Sequence, residues 1–415
     1  MFASGSTGAE LRDRLRAALR QPVRREPTPR LVGVTVDADL RLLGGGWFES
    51  PYGPGYRIES RYDVGYVHGE VPLSDVLAAP LEQLSRVAGV EATTDLRGLL
   101  FIDTETTGLG GAGAMVFLAG VARFQGSELV LTQYLLPGPQ FEGGLLGGVG
   151  EELARAGALV SYNGRAFDAP VLESRYVLSR MRPRWRSLPH LDLLHLARRL
   201  FADELPSYRL TDVERQLLGF ERTEECPSHE VPERYFRFQR TGDPTPLLPV
   251  LRHNAWDVLS LAALLARLGR ALLAEDEPLA RARAAERTGS WEEAARRYES
   301  AALRAARGER RRLLERAARA YAKAGAHEHA LRCWLALAEE PPGRMLRPWV
   351  EAAKILEHRL RDPEGALRCT EAALALLEQG VARPGPRGSG TTPAELRRRR
   401  QRLQARRERG SAKMP

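Results

Sequence analysis

The sequence predicts an α/β domain built on a mixed sheet, followed by an all-α region of helical repeats. Residues 98–272 open with three successive strand-like runs and then alternate helix-like and strand-like segments. Residues 278–380 lose the strand signal and become rich in Ala, Leu, Arg and Glu. Within them a helical pattern recurs at a fixed interval of 36 residues, aligned on Ala294, Ala330 and Ala366.

Residues 1–97 read as a separate extension: an amphipathic helix from Leu11 to Leu19, then short strands and turns in GGGWFESPYGPGYRIESRYDVGYVHG. In the α/β domain, GLLFID, MVFLAGVARF and LVLTQYLL are the three strands. A helix around Glu151 to Ala156, strand ALVSY, helix PVLESRYVLSR and strand-like PHLDL come next. The apolar-striped PLLPVLRHNAWDVLSLAALLARLG closes the domain as a long helix. In the repeats WEEAARRYESAAL, HEHALRCWLALAE and PEGALRCTEAALAL, small residues at fixed positions permit close helix packing. The interval is near the ~34 residues of tetratricopeptide repeats, so residues 278–380 resemble a short solenoid of that kind, a surface for a protein partner. Cys333 and Cys369 fall at one equivalent position, as core residues would. Residues 381–415 combine a Pro/Gly/Ser linker with the run ELRRRRQRLQARRERG, which predicts a solvated, partly helical but otherwise disordered tail.

A chain of 415 residues accommodates two or three domains. No segment reaches the ~20 uninterrupted apolar residues of a membrane span. The richest candidate, Val258 to Ala274, is broken by Arg267 and Arg270. The opening MFASGSTGAELRDR lacks the apolar stretch of a secretory signal, and three cysteines make no disulfide framework. These features predict a reduced, cytoplasmic protein with no membrane association. The net charge of +9 is carried by the tail, which holds eleven basic and two acidic residues. The remainder is neutral, with 51 of each sign. Attraction to nucleic-acid phosphates or docking on an acidic protein both suit such a tail. Lysine supplies only three of the 62 basic residues, a bias that codon usage in a GC-rich genome explains as well as phosphate binding does.

Three segments carry chemistry. In FIDTETTGLG, Asp103 and Glu105 lie two apart on a strand and share a face. Apolar Leu99 to Ile102 lead into them, so a buried strand ends in two acids that call for a cation. In SYNGRAFDAPVLESR, strand ALVSY runs into a turn and Asp168 heads a helix, where capping is an alternative role. Asn163 and Phe167 accompany it in the spacing N-x-x-x-F-D. In RHNAWDVLSLAALL, His253 and Asp257 lie four apart on one helical face amid Val250, Leu251, Val258 and Leu261.

In this order and spacing the segments resemble the DEDD exonuclease superfamily, and within it the YprB-like branch of ribonuclease H-like proteins. DTETTGL matches the first motif, NGRAFD the second and HNAWD the third. VPERYFRFQRTGD and GGGWFESPYG also look like this branch, so the resemblance covers roughly residues 40–270. It implies a ribonuclease H-like mixed sheet flanked by helices, with the acidic segments meeting at one end. The activity implied is a metal-dependent 3′→5′ exonuclease acting on DNA or RNA. Four carboxylates with at most one histidine make a hard, oxygen-rich site suited to Mg²⁺ or Mn²⁺. Two such ions ~4 Å apart activate a water and stabilise the leaving oxygen. Asp103 is expected to bridge the ions, with Glu105, Asp168 and Asp257 completing their shells. His253 is expected to accept the proton of the attacking water. Nucleic-acid contacts are implied for Thr106, Gly108 and Leu109 after the first motif, and for Asn163 and Phe167 in the second. The third motif departs from the family, whose members carry Tyr four residues before the last Asp or His five before it. Here His253 stands in the tyrosine place and Arg252 in the other.

Gly108, Gly110 and Gly113 spell G-x-G-x-x-G, but AMVFLAGVARF after them reads as a strand where a dinucleotide site needs a helix. Cys226 and His229 have half a zinc spacing without a second pair. Asp192 and His195 read as supporting or structural residues. The alternative to an enzyme is a non-catalytic module that grips nucleic acid while the repeats recruit a protein.

Overall fold

The computed structural model describes residues 40–415 except 92–94, 109–112, 183–184, 203, 225, 341–344, 387 and 412–415. The run Leu11 to Leu19, together with Leu109 and Gly110, lies outside the described residues. The strands are β1 (Gly46–Ser50), β2 (Gly53–Asp63), β3 (Val67–His68), β4 (Val71–Pro72), β5 (Leu99–Thr106), β6 (Val116–Gln125), β7 (Glu128–Leu135), β8 (Ala158–Ser161) and β9 (His190–Asp192). The helices of the sheet domain are α1 (Leu81–Ala88), α2 (Glu142–Arg155), α3 (Asp168–Leu178), α4 (Leu193–Leu200), α5 (Val231–Thr241) and α6 (Leu248–Leu273). They continue as α7 (Pro278–Thr288), α8 (Trp291–Arg304), α9 (Arg307–Lys323), α10 (His327–Glu339), α11 (Leu346–Ile355), α12 (Pro363–Glu378) and α13 (Pro393–Ser411). A short helix, Leu210–Val213, runs on into a π turn, Glu214–Leu218.

Among the described residues, seven strands form one mixed sheet in the order β1-β2-β7-β6-β5-β8-β9. Strands β5, β6 and β7 form the expected antiparallel meander, while β8 and β9 are parallel to β5 and to each other. The alternation of strand β5 explains the layers. Leu99 and Phe101 face a core shared with α1, α4 and α6, whereas Leu100 and Ile102 face one shared with α2, α3 and α5.

Two sequence expectations need correction here. The strands of the supposed extension belong to the main sheet: β2 pairs with β7 from Tyr56↔Leu135 to Asp63↔Glu128. And α2 begins at Glu142, not near Glu151. The glycines in EGGLLGGVG are poor helix formers, but here they let the helix lie against strands. A Cβ on Gly144 would fall 2.0 Å from the Pro54 carbonyl oxygen, and one on Gly148 would fall 2.3 Å from the Tyr134 ring.

The carboxy-terminal region is all helical among the described residues. Ala294, Ala330 and Ala366 are each fully buried, and Cys333 and Cys369 join the same core. The arginine run, expected as a solvated, partly disordered tail, is instead helix α13 packed on α12. Leu396 and Leu403 are buried, and Glu357, whose side chain is 0% exposed, binds Arg402 through both oxygens at 3.0 and 2.9 Å and Arg406 at 3.2 Å. An arginine-rich helix becomes ordered because two of its leucines are buried against its neighbours and one of those neighbours presents a buried acid to its arginines.

Candidate active site

Strands β5 and β8 run parallel, so their carboxyl ends reach the same edge of the sheet, and α6 crosses above that edge. Asp103 and Glu105 continue the parity of Leu99 and Phe101 and therefore face α6. The register of β5 on β6 sets Asp103 beside Gly120 and shifts between Glu105 and Thr106. Gly120 matters because a Cβ there would lie 2.2 Å from the Asn254 side-chain oxygen. Into that gap Asn254 descends from α6 and donates to the Asp103 carboxylate at 2.9 Å. Gln133 of β7 donates to the Asn254 oxygen at 2.9 Å and fixes which way the amide points.

Asp168 arrives from the other side, at the start of α3. Its Oδ1 accepts from the Thr104 backbone N–H at 3.0 Å and the Thr104 hydroxyl at 2.5 Å, which ties it to β5. The turn before it is tightly constrained. Asn163 adopts φ +61°, a left-handed conformation that asparagine tolerates. A Cβ on Gly164 would meet the Ser161 hydroxyl at 2.3 Å. Asp192 accepts from the backbone N–H groups of Asn163 (2.9 Å), Arg165 (3.2 Å) and Leu194 (3.2 Å). It thus joins the second motif to the start of α4, the structural role read for it; His195 is exposed.

The acids lie close enough to disturb one another. Burial raises the pKa of Asp103 well above the carboxylate range, and the charges of Asp257, Asp168 and Glu105 add to the rise. Glu105 is raised by burial and then by Asp257 and Asp168, against the opposing pull of Arg222. Burial pushes Asp168 up to about 6, with the Thr104 hydrogen bonds holding it lower than burial alone would. One oxygen each of Glu105 and Asp257 and one nitrogen of His253 lie within 4.8 Å of one another, a spacing that suits a shared cation. The donor set therefore fits a divalent metal: carboxylates raised by burial and by neighbouring negative charge gain most when positive charge enters.

Arg222, which sequence reasoning passed over, lies inside this cluster. Its side chain is 3% exposed, and it grips Glu214 (1% exposed) with Nε at 2.8 Å and Nη2 at 2.6 Å. It also donates to Asp257, and to Nδ1 of His253 at 3.2 Å. Burial works against the guanidinium charge, but the carboxylates of Asp257 and Glu214 outweigh it and raise its pKa. Behind Glu214 the chain of contacts continues: the Ser260 hydroxyl donates to it at 2.5 Å, and His68 lies 2.7 Å from that hydroxyl. Burial and then Arg222 lower His68 to about 4, so its ring is neutral. With the Ser260 proton directed at Glu214, His68 donates from Nε2. A lone Arg in GFERTEEC carries no spacing signal; only folding pairs it with acids 8 and 35 residues away.

An arginine nitrogen has no lone pair to offer, so Nδ1 of His253 is the acceptor in its contact with Arg222. With Nδ1 accepting, the N–H of the ring is on Nε2, which lies 3.4 Å from Asp257 and 3.9 Å from Glu105. A ring in that state donates rather than takes a proton, which runs against the base role expected of it.

A cleft of about 710 Å³ opens above the cluster, lined by Asp103, Asn163, Arg198, Arg222, His253 and Asp257 among others. Of the expected nucleic-acid contacts, Asn163 reaches this cleft. The Thr106 hydroxyl donates to the Gly108 carbonyl at 2.7 Å within its own loop, and Phe167 is half-buried before α3. Strand β6 follows Gly113 directly, as expected of a loop that does not bind a dinucleotide.

Comparison with known proteins agrees with this architecture. The chain is 38% identical over 224 residues to a Bacillus subtilis (strain 168) protein named uncharacterized protein YprB. That match covers 52% of this chain and 54% of the relative, about half the length of each. The RNase H superfamily profile matches residues 100–269. Among the described residues no helix is long and apolar enough to cross a membrane. With the sheet order, the acidic edge and the profile in agreement, residues 100–269 are a ribonuclease H superfamily domain.

Proposed function

We propose that the protein is a metal-dependent nuclease that hydrolyses phosphodiester bonds of DNA or RNA from a 3′ end. The observation that carries this reading is that Asp103, Glu105, Asp168 and Asp257, from three distant segments, lie close enough to repel one another, with Asp103 and Asp257 lining the cleft. Such a concentration of buried negative charge is costly without cations, and phosphate could not approach it otherwise. Asp103, Glu105, Asp168 and Asp257 would hold Mg²⁺ or Mn²⁺, which supply Lewis acidity toward water and the leaving 3′ oxygen. Asn254 and Thr104 hold Asp103 and Asp168 in place before substrate arrives. His253 acts as an orienting N–H donor in this reading, and the proton of the attacking water passes to solvent. The 36-residue spacing supports a tetratricopeptide-like reading of residues 278–380 as a scaffold for a protein partner.

The test is digestion of end-labelled single and double strands of DNA and RNA with Mg²⁺ or Mn²⁺. Mononucleotide release that stops in chelator and in Asp103→Asn and Asp168→Asn is the expected result. No cleavage of any strand with either metal would overturn the nuclease reading. One observation favours a second reading, a module that binds nucleic acid without cutting: Arg222 already engages Asp257. That reading predicts retention of labelled strands in chelator and no turnover on adding metal.

A further inference from the structure

A second cavity, about 650 Å³, lies where α4 meets the helical region. It is lined by Arg198 and Arg199 of α4, Arg283 and Arg287 of α7, Trp291 of α8 and Arg316 of α9. Glu286 is the one acid in that lining, and it accepts the Tyr298 hydroxyl at 2.7 Å. Five arginines against one carboxylate is a local excess in a body that is neutral as a whole.

Among the described residues most of this excess stays uncancelled. Arg199 donates to the Val87 and Ala88 carbonyls at 2.6 Å, which bind a guanidinium without neutralising it. Arg316 donates to the Tyr298 hydroxyl at 3.2 Å, again a neutral group. Arg283 is the exception, since Glu204 pairs with it. Arg198 and Arg287 are exposed. Burial, then the charges of Arg287 and Arg165, lower the pKa of Arg199, so positive potential extends from the NGRAFD turn across α4 to α7.

This groove adjoins the acidic cleft at Arg198. Arg198 lines both cavities, and its guanidinium lies 5.7 Å from the ring of Tyr208, which also lines the cleft. We propose that the groove carries the phosphate backbone of a nucleic-acid strand whose end is held in the cleft, so that the helical region takes part in substrate binding. The proposal rests on the nuclease reading of the cleft. Guanidinium forks match phosphate oxygens in pairs. A strand leaving a site on the sheet edge meets this row of cations. An acidic polypeptide would also be attracted, but nothing would bring its chain into the cleft.

The test uses the full chain and fluorescent oligo-dT and oligo-U with Ca²⁺ in place of Mg²⁺ or Mn²⁺, so that the acidic cluster is compensated and binding is read without cutting. A strand of about twenty nucleotides is compared with a trinucleotide, which fills the cleft alone, over a series of salt concentrations. Arg287→Glu and, separately, Arg316→Gln should weaken the long strand about tenfold and five-fold and flatten its salt dependence, leaving the trinucleotide unchanged. Equal affinity of Arg287→Glu and wild type for the long strand would overturn the groove even if cleavage were found. Wild type that binds no strand of either length would overturn both readings. Groove-dependent binding with no turnover on adding Mn²⁺ would support the groove and remove only the catalytic claim. Displacement of the long strand by polyglutamate at matched charge concentration would assign the groove to an acidic protein and overturn the proposal.

Discussion

One guanidinium nitrogen of Arg222 donates to Nδ1 of His253 at 3.2 Å while another donates to Asp257, four residues further along the same helix. The pair therefore sets both the tautomer of the histidine and the direction of the carboxylate. His253→Gln retains an N–H donor and cannot act as a base, so its kcat should stay within about tenfold of wild type. His253→Ala removes the donor and should lose about 100-fold, the lower range for a positioned proton-handling group. Equal losses in the two variants, measured at saturating Mn²⁺, would return His253 to the base role.

Arg222 and Glu214 should be strongly coupled in stability. Arg222→Met leaves two buried carboxylates without their cation and should cost about 3–5 kcal/mol in urea unfolding. Adding Glu214→Leu should recover part of that loss, because the second unpaired charge goes with it. Losses that simply add would mean that the two side chains do not depend on one another.

Metal binding should stabilise the protein in a pH-dependent way. A carboxyl whose folded pKa lies above its unfolded value contributes stability at low pH and loses it as the pH rises through the folded value. Asp168, at about 6 against 3.8, loses its contribution across that interval, and Asp103 and Glu105 move in the same direction. Cations need the ionised forms. The gain in Tm on adding Mn²⁺ should thus be small near pH ~5 and grow as the pH passes about 6. His68 and His190, both lowered to about 4 chiefly by burial, titrate there with the opposite sign. The gain is accordingly read as the difference with and without metal at each pH. A gain that is flat from pH ~5 to ~8 would argue against these carboxylates as ligands.

Strand parity and helical spacing are local rules and place Asp103 with Glu105 by a period of two and His253 with Asp257 by a step of four, whereas the meeting of these segments with Asp168 is implied only by the family resemblance. The supporting groups were less legible in the sequence. Asn254 depends on a glycine in a neighbouring strand, and Arg222 on partners no periodicity connects. Strands β1 and β2 were read as strands but assigned to an extension, because pairing with β7 is a long-range choice. The packing of helix α13 is not legible, because its composition favours solvent and only Leu396, Leu403 and Glu357 decide otherwise.

Glu357 is the anchor of that last helix. Glu357→Gln keeps the shape and removes the charge that Arg402 and Arg406 share. The change should cost about 1–3 kcal/mol locally and make α13 the first segment cut in limited proteolysis. A digestion pattern identical to wild type would show that the leucines alone secure it.

The pairing of β2 with β7 bears on how small a working fragment could be. Cutting the chain just ahead of β5, where the motifs begin, would strip Tyr56 and Ile58 from the core and bare a run of backbone donors and acceptors along β7. Such a fragment would keep all four acids yet offer a ready template for association with its own copies. An autonomous unit therefore needs β2 and reaches well upstream of the chemistry, at least to Leu40, whose carbonyl is held by the Tyr56 hydroxyl at 2.7 Å.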